Sequence, residues 1–182
     1  MRSKINDNTT VYLVCLQDTP LGPISLAATD IGLAAIDFGL EINKKKLDHV
    51  DYVLNENHPV LQQGLQQIKA YFGSQRRIFD LPIDWTFFST FEKSALQEVM
   101  RIPYGEIKTY GEVAALLGKP KASRAVGGAN ARNLIPIVIP CHRVVNSQMK
   151  LHGYSASVGL EGKAWLLQLE GHQLAGQKIL RQ

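Results

Sequence analysis

A thiol, an imidazole and a guanidinium stand side by side at Cys141, His142 and Arg143. A cysteine becomes nucleophilic when it ionises, and a nearby imidazole, cation or helix N-terminus promotes that ionisation. His142 is one such neighbour, so this triplet could carry out nucleophilic chemistry. Free cysteine also commonly packs as a small apolar residue, and the triplet alone leaves that alternative open.

An apolar segment leads into the triplet. Residues 137–139 read Ile-Val-Ile between Pro136 and Pro140, which predicts a brief buried strand that ends at the second proline. A rigid segment of this kind would hold the sulfur of Cys141 at a fixed position.

Two short helices are predicted before that segment. Thr109 and Glu112 form a Ser/Thr-x-x-Glu capping box at the start of the first. The second spans about 122–130, and the pair predicts a helix-turn-helix. Gly127 and Gly128 cost the second helix roughly 1 kcal/mol each relative to alanine. That cost is tolerable where another surface approaches the backbone closely, and the surface could be nucleic acid or a packed helix.

The N-terminal half predicts a small α/β module without chemistry of its own. Its first three strands are closely spaced, which indicates an antiparallel meander. Cys15 lies in the first of them and is expected to be a packing residue. The predicted elements are strands at 10–16, 24–29, 33–38 and 79–83 and a helix that opens at Pro59 and ends near Gly73.

Charge and composition narrow the class of protein. Residues 1–88 carry 8 Lys and Arg against 10 Asp and Glu, whereas residues 89–182 carry 12 against 6. The basic half suits a polyanion, although a solvated surface would show the same charge. No apolar run is as long as a membrane span and no signal-peptide core is present, so we expect a cytoplasmic protein. Cys15 and Cys141 form neither a disulfide framework nor a metal cluster.

The C-terminal motifs resemble those of the O6-alkylguanine-DNA alkyltransferases. The resemblance is close over about 101–171 and holds elsewhere in outline. It implies an α+β fold, with a ribonuclease-H-like α/β module at 1–88 and a mostly helical, winged-helix-like helix-turn-helix domain at 89–182. The matching residues, in the family's order and spacing, are Thr109 to Ala114, Ser123 to Ala129, Asn133, Pro140 to Val144, Trp165 to Leu167, Glu170 and Gly171.

The resemblance implies direct-reversal DNA repair. The alkyl group of O6-alkylguanine, and also of O4-methylthymine, would move from double-stranded DNA to Cys141 after the nucleotide is flipped out of the duplex. The product is a thioether, which has no carbonyl for water to attack, so each molecule would act once. The resemblance also implies a monomer without cofactor or metal, located in the cytoplasm or, in a eukaryote, the nucleus.

Catalytic roles follow from the same resemblance. His142 would ionise Cys141 through a water molecule, and Glu170 would orient the imidazole. Asn133 would fix the turn between the helix-turn-helix and the active-site segment. Tyr110 would rotate the backbone phosphate and could protonate the departing guanine at N3.

The remaining implied residues contact DNA or the extruded base. Arg124 would fill the vacated place in the base stack, a task that suits a flat, cationic side chain with several donors. The other implied DNA contacts are Ala122, Ala125, Gly127, Gly128 and Arg132, and the implied base pocket is formed by Val144, Val145, Tyr154 and Ser155.

Three other functions fit part of the sequence. An alkyltransferase-like binding protein would carry tryptophan in place of Cys141, a helix-turn-helix regulator would have a recognition helix rich in side chains, and a Cys-His-Glu hydrolase would turn over repeatedly. The chain also departs from the family at Leu134, where proline is usual, and in a longer 155–161 loop without paired glycines. These departures predict a looser turn and an altered range of accepted alkyl groups.

Overall fold

The computed structural model describes residues 9–43, 47, 50–154 and 156–180. The chain divides into two compact units, Met1–Thr90 and Phe91–Gln182. The lysine run at 44–46 and the pocket residue Ser155 lie outside the described residues. Within the described ranges, no helix is both long enough and apolar enough to cross a bilayer.

The first unit is built on a four-stranded sheet, in which the strands stand side by side as the third, second, first and fourth in chain order. Strands β1 (Thr9–Leu16), β2 (Ile24–Ala28) and β3 (Leu33–Phe38) form the predicted antiparallel meander. Strand β4 (Val50–Leu54) pairs parallel to β1 and was not predicted. Its sequence is Val-Asp-Tyr-Val-Leu, which ends in three aromatic or apolar residues and so lacks the alternation of apolar and polar residues that predicts a half-buried strand.

Helix α1 (Pro59–Phe72) packs on this sheet. Proline is compatible with the first position of a helix, because an N–H at that position would have no partner in the helix and its absence costs nothing. A Cβ atom on Gly64 would lie 2.9 Å from the Leu26 side chain, so glycine lets the helix lie close against β2.

The predicted strand at 79–83 is wrong. Ile83 alone forms a bridge, to Leu33, and Asp84 donates its N–H to the Leu33 carbonyl at 2.9 Å. Pro82 accepts from the Leu33 N–H at 2.8 Å but has no N–H of its own to extend the ladder.

The second unit is mostly helical, with α3 (Tyr110–Leu116) and α4 (Ser123–Ala131) as the predicted helix-turn-helix pair. Both bonds of the predicted capping box are present, between Thr109 and Glu112. The turn after α3 passes through Gly118, whose φ of +69° favours glycine. The elements of this unit are α2 (Thr90–Met100), β5 (Lys108–Thr109), α3 (Tyr110–Leu116), α4 (Ser123–Ala131), a 3₁₀ turn at Cys141–Arg143, β6 (Val144–Val145), α5 (Gly159–Leu169), β7 (Leu174–Ala175) and β8 (Lys178–Ile179).

The predicted strand at 137–139 is also wrong, because the segment is a turn. Only an isolated bridge joins Pro136 to Ile139, and the Ile139 N–H donates to the Ile135 carbonyl at 2.9 Å. Ile137 has a φ of +74°, which is strained for a β-branched residue. Such strain persists only where the surroundings fix the backbone, and residues 133–145 are all buried. The lead-in to Cys141 is therefore a buried turn whose backbone is fixed by its surroundings, and it is not a strand.

Candidate functional site

Asn133 ties the sulfur of Cys141 to the strained turn. Its Nδ2 donates to the Cys141 Sγ at 3.1 Å and to the Ile139 carbonyl at 2.9 Å, while its Oδ1 accepts from the Ile135 N–H at 3.0 Å. The N–H of Cys141 also donates to the Ile139 carbonyl, at 2.8 Å. These bonds close the turn around Leu134, which is itself buried.

The Cys141 thiol is buried, with 6% of the residue exposed. Burial raises the pKa of this thiol, whereas the hydrogen bond from Asn133 and the positive charge of Lys163 act in the opposite direction. A thiolate here therefore depends on the donors and cations that the fold places around the sulfur.

A buried network lies directly behind Cys141. The His142 Nε2 is 2.9 Å from the Glu170 Oε1. The Arg143 guanidinium donates to both oxygens of the same carboxylate, with its Nε 2.9 Å from Oε2 and its Nη2 2.9 Å from Oε1. Arg143 also donates to the Ile102 carbonyl at 2.6 Å, and the Gly105 N–H donates to Glu170 at 3.2 Å.

Electrostatics in this network keep the carboxylate charged and the imidazole neutral. Burial opposes ionisation of Glu170, but hydrogen bonds from His142 and Arg143 and the positive charge of Arg143 outweigh it and hold the pKa of the carboxyl well below its usual range. Burial lowers the pKa of His142, and Arg143 lowers it further, against the opposing effect of Glu170. A neutral His142 that donates from Nε2 carries its lone pair on Nδ1, which is buried and unbonded within the described residues. Nδ1 can therefore act as a base.

Sequence reasoning missed Lys163, a fully buried lysine. Its Nζ donates to the Val144 carbonyl at 2.7 Å and to the His152 carbonyl at 3.3 Å. Burial lowers the pKa of this ammonium to about 8, and Cys141 acts in the opposite direction. The cation thus stabilises negative charge on the sulfur.

A signal for Lys163 was present in the sequence. It occupies the buried face of α5 together with Leu166 and Leu167, three and four positions later. A lysine at this spacing on an apolar stripe lies on the face that packs against the core, and an ammonium that is buried there needs a partner.

A cavity of about 680 Å³ lies beside α3 and α4. The Tyr110 hydroxyl donates to the His152 carbonyl at 3.2 Å at its wall. Burial raises the pKa of the Tyr110 phenol, and charge on Cys141 raises it further. Cys141 itself does not line the cavity. The residues that line it include Tyr110, Arg124, Gly127, Asn130 and His152.

The predicted DNA contacts on α4 differ in exposure. Arg124 and Ala125 are exposed, whereas Ala122, Gly127 and Gly128 are half-buried. A Cβ on Gly127 would come no closer than 3.9 Å to the Tyr110 ring, and one on Gly128 would lie 3.4 Å from the Arg132 guanidinium. Packing inside this unit therefore does not require glycine at 127.

Arg132 has a partner that the sequence did not indicate. Its Nε bonds to the carboxylate of Glu92, whose side chain is 7% exposed, while the Arg132 side chain is 54% exposed. The guanidinium thus neutralises a buried carboxylate.

The predicted base-pocket residues lie on β6 and the loop after it. Val144 and Val145 are fully buried and pair with Lys108 and Thr109 of β5. The Val144 carbonyl is bonded to Lys163. Tyr154 is half-buried.

Two family models match the chain. One is described as the ribonuclease-like domain of 6-O-methylguanine DNA methyltransferase and matches residues 10–85; the other, its DNA binding domain, matches residues 90–172. Together they span both units.

Curated relatives and solved structures agree with these matches. The methylated-DNA–protein-cysteine methyltransferase of Methanosarcina acetivorans is 43% identical over 154 residues, covering 85% of this chain and 95% of the relative. The constitutive enzyme of that name from Bacillus subtilis is 39% identical over 159 residues, covering 84% and 92%. The crystal structure of Mycobacterium tuberculosis O6-methylguanine methyltransferase superposes with a TM-score of 0.74 at 33% identity. The crystal structure of M. tuberculosis OGT in complex with DNA superposes with a TM-score of 0.72, also at 33% identity. Each of these two matches covers 88% of this chain and 92% of the chain in the solved structure.

Proposed function

The chain belongs to the 6-O-methylguanine DNA methyltransferase family, and on this premise we propose that it transfers the methyl group of O6-methylguanine in DNA to Cys141. Its curated relatives are methylated-DNA–protein-cysteine methyltransferases, and a similar solved structure contains DNA. The observation that carries the assignment to Cys141 is the 3.1 Å hydrogen bond from Asn133 to its sulfur, next to the His142–Glu170 pair.

The thiol is ionised by His142. The charged Glu170 holds the imidazole with its proton on Nε2 and leaves Nδ1 free to accept the thiol proton, through a water molecule. Arg143 positions the carboxylate from the other side. Asn133 and Lys163 then stabilise the thiolate, which burial alone would disfavour.

The transfer itself is one displacement. The sulfur of Cys141 forms a bond to the methyl carbon as the bond from that carbon to guanine O6 breaks, and the electron pair leaves with the guanine. Tyr110 donates its phenolic proton to N3 of the departing anion. The product is an S-methyl thioether, which water does not hydrolyse, so each chain reacts once.

The base reaches the site by leaving the duplex. Cys141 does not line the cavity in the described structure, whereas Tyr110 and Arg124 do. We assign Tyr110 to rotation of the phosphate and Arg124 to the vacated place in the stack. A pocket for the extruded base would use β6 and the loop that carries Tyr154, and we expect O4-methylthymine to enter it as well.

The DNA surface is α4. Its Arg124 and Ala125 are exposed, and the glycine at 127 leaves the helix slim without being required by internal packing. A slim helix suits the minor groove, which is only about 6 Å wide and must be widened to admit it. Action as a monomer and location in the cytoplasm or nucleus remain predictions from the family resemblance.

The test is the stoichiometry of repair. Protein is mixed with an excess of duplex DNA that carries methyl-labelled O6-methylguanine, and label on the protein is followed to its plateau. We expect one label per chain and no turnover after it. Continued turnover would indicate a hydrolase, and binding without any transfer would indicate a lesion-binding protein.

A further inference from the structure

Asn130 is a buried polar residue at the wall of the cavity that the proposed mechanism leaves without a role. It is 6% exposed, and neither its Nδ2 nor its Oδ1 makes a hydrogen bond of ordinary length and angle within the described residues. A buried amide without hydrogen bonds has lost its bonds to water and gained none in exchange, so it destabilises the folded protein. Its presence beside the cavity therefore needs an explanation other than stability of the free protein.

The position of Asn130 directs its side chain toward Tyr110. Arg124, Gly127 and Asn130 recur every three residues on the face of α4 that lines the cavity. Side chains on a helix lean toward its N-terminus, so the Asn130 amide covers the turn that contains Gly127. The Tyr110 ring lies over that same turn, 3.9 Å from the place of a Gly127 Cβ.

The two groups also interact electrostatically. Burial and the charge of Cys141 raise the pKa of the Tyr110 phenol, and the Asn130 side chain acts in the opposite direction. A donor that lowers the pKa of a phenol does so by stabilising the phenolate.

We propose that Asn130 is a positioning residue that donates a hydrogen bond from Nδ2 to the Tyr110 phenolic oxygen once that phenol has left the His152 carbonyl and given up its proton. This rests on the proposed function, in which Tyr110 protonates guanine N3. The proton moves from the Tyr110 oxygen to N3, the electron pair of the broken C–O6 bond stays with guanine, and the negative charge left on the phenolate is held by the amide until solvent returns a proton.

The test is a double-mutant cycle in single-turnover methyl transfer from duplex DNA containing O6-methylguanine. The four proteins are wild type, Asn130→Leu, Tyr110→Phe and the double variant. We expect Asn130→Leu to slow transfer roughly tenfold or more when Tyr110 is present, since hydrogen bonds to charged groups are worth about 1.5–3 kcal/mol. In the Tyr110→Phe background the same change should cost less than about twofold.

A pH–rate profile separates this role from a merely structural one. Without the amide the phenolate loses a donor and the pKa of Tyr110 rises, so the alkaline limb that Tyr110→Phe abolishes should move to higher pH in Asn130→Leu. Because Asn130 makes no hydrogen bond of ordinary length and angle within the described residues, Asn130→Leu should leave the free energy of unfolding unchanged or higher. Should Asn130→Leu fold poorly, Asn130→Asp of nearly equal volume takes its place in the cycle, and its carboxylate should slow transfer only when Tyr110 is present.

Equal slowing in both backgrounds would overturn the inference, because Asn130 would then act on the base or the fold rather than on Tyr110. An unchanged rate in Asn130→Leu would also overturn it. Either result leaves the proposed function intact so long as the wild-type chain transfers its methyl group. Failure of the wild type to do so would overturn the proposed function itself.

Discussion

The amide nitrogen of Asn133 is 3.1 Å from the sulfur of Cys141 and 2.9 Å from the carbonyl oxygen of Ile139. One side chain therefore stabilises the thiolate and fixes the backbone that carries it. The strained Ile137 lies inside the turn that Asn133 closes. Asn133 therefore sets both the position of the Cys141 sulfur and its reactivity.

We expect Asn133→Leu to raise the pKa of the Cys141 thiol and to slow methyl transfer by roughly tenfold or more, because the sulfur loses its donor. The variant should also lose about 1–3 kcal/mol of stability, since the Ile135 N–H is left buried without a partner. The thiol pKa is measured from the pH dependence of iodoacetamide labelling at Cys141, resolved from Cys15 by peptide mapping. An unchanged thiol pKa would contradict the role of the 3.1 Å contact.

Stability should depend on pH through His142. Burial lowers the pKa of this imidazole in the folded state, whereas the unfolded chain takes up the proton near pH 6.5. The stabilising contribution is therefore full above about pH 6.5 and is lost as the pH falls toward the folded pKa. Glu170, with its pKa held well below the usual range, keeps its contribution until more acidic pH.

Urea unfolding at several pH values measures this dependence. Between about pH 7 and 5 the free energy of unfolding of the wild type should fall more steeply than that of His142→Gln, which has no imidazole to titrate at this position. Parallel curves for the two proteins would show that His142 is not buried in its neutral form.

Gly127→Ala should separate stability from DNA binding. Alanine in the helix interior is favoured by about 0.5–1 kcal/mol, and its Cβ would meet only the Tyr110 ring at 3.9 Å, so the folded protein should gain stability. The added methyl group projects from the surface proposed to enter the minor groove, so DNA affinity should fall. Thermal unfolding and DNA titration at fixed salt measure the two effects. Unchanged affinity would place the groove contact elsewhere.

Arg124→Ala should slow repair in duplex DNA far more than reaction with free O6-methylguanine base, because only the duplex requires base extrusion. Lys121→Ala is a matched control, since it removes an exposed positive charge near the start of the same helix. We expect Lys121→Ala to weaken DNA binding and to make that binding less dependent on salt. It should not slow reaction with duplex DNA far more than reaction with the free base. Equal slowing on both substrates by Arg124→Ala would argue against a role in extrusion.

The local parts of the fold were predictable from sequence. The Thr109–Glu112 capping box and the bare α4 both follow from short-range chemistry, and the motifs around Cys141 are contiguous. The strand at 137–139 was predicted wrongly because the prediction relied on the β-branched residues alone. β-branched residues favour a strand only where a neighbouring strand is present to pair with them. Prolines on both sides leave too few N–H groups for a ladder, and the segment turns instead.

The missed parts of the site depend on long-range packing. Glu92 and Arg132 are forty residues apart, and only the fold brings them together. Lys163 belongs to the site because α5 places its ammonium at the Val144 and His152 carbonyls. The spacing of Lys163 on the apolar face of α5 indicated that it is buried, but it could not indicate which groups its ammonium contacts.

Cys141 should be the residue that accepts the methyl group. Protein mixed with duplex DNA containing O6-methylguanine is digested and its cysteine peptides are compared by mass spectrometry, with Cys141→Ser and Cys15→Ser as variants. We expect a single methyl group on Cys141, unchanged methylation in Cys15→Ser and none in Cys141→Ser. Repaired DNA with an unmodified Cys141, or a methyl group on any other residue, would contradict it.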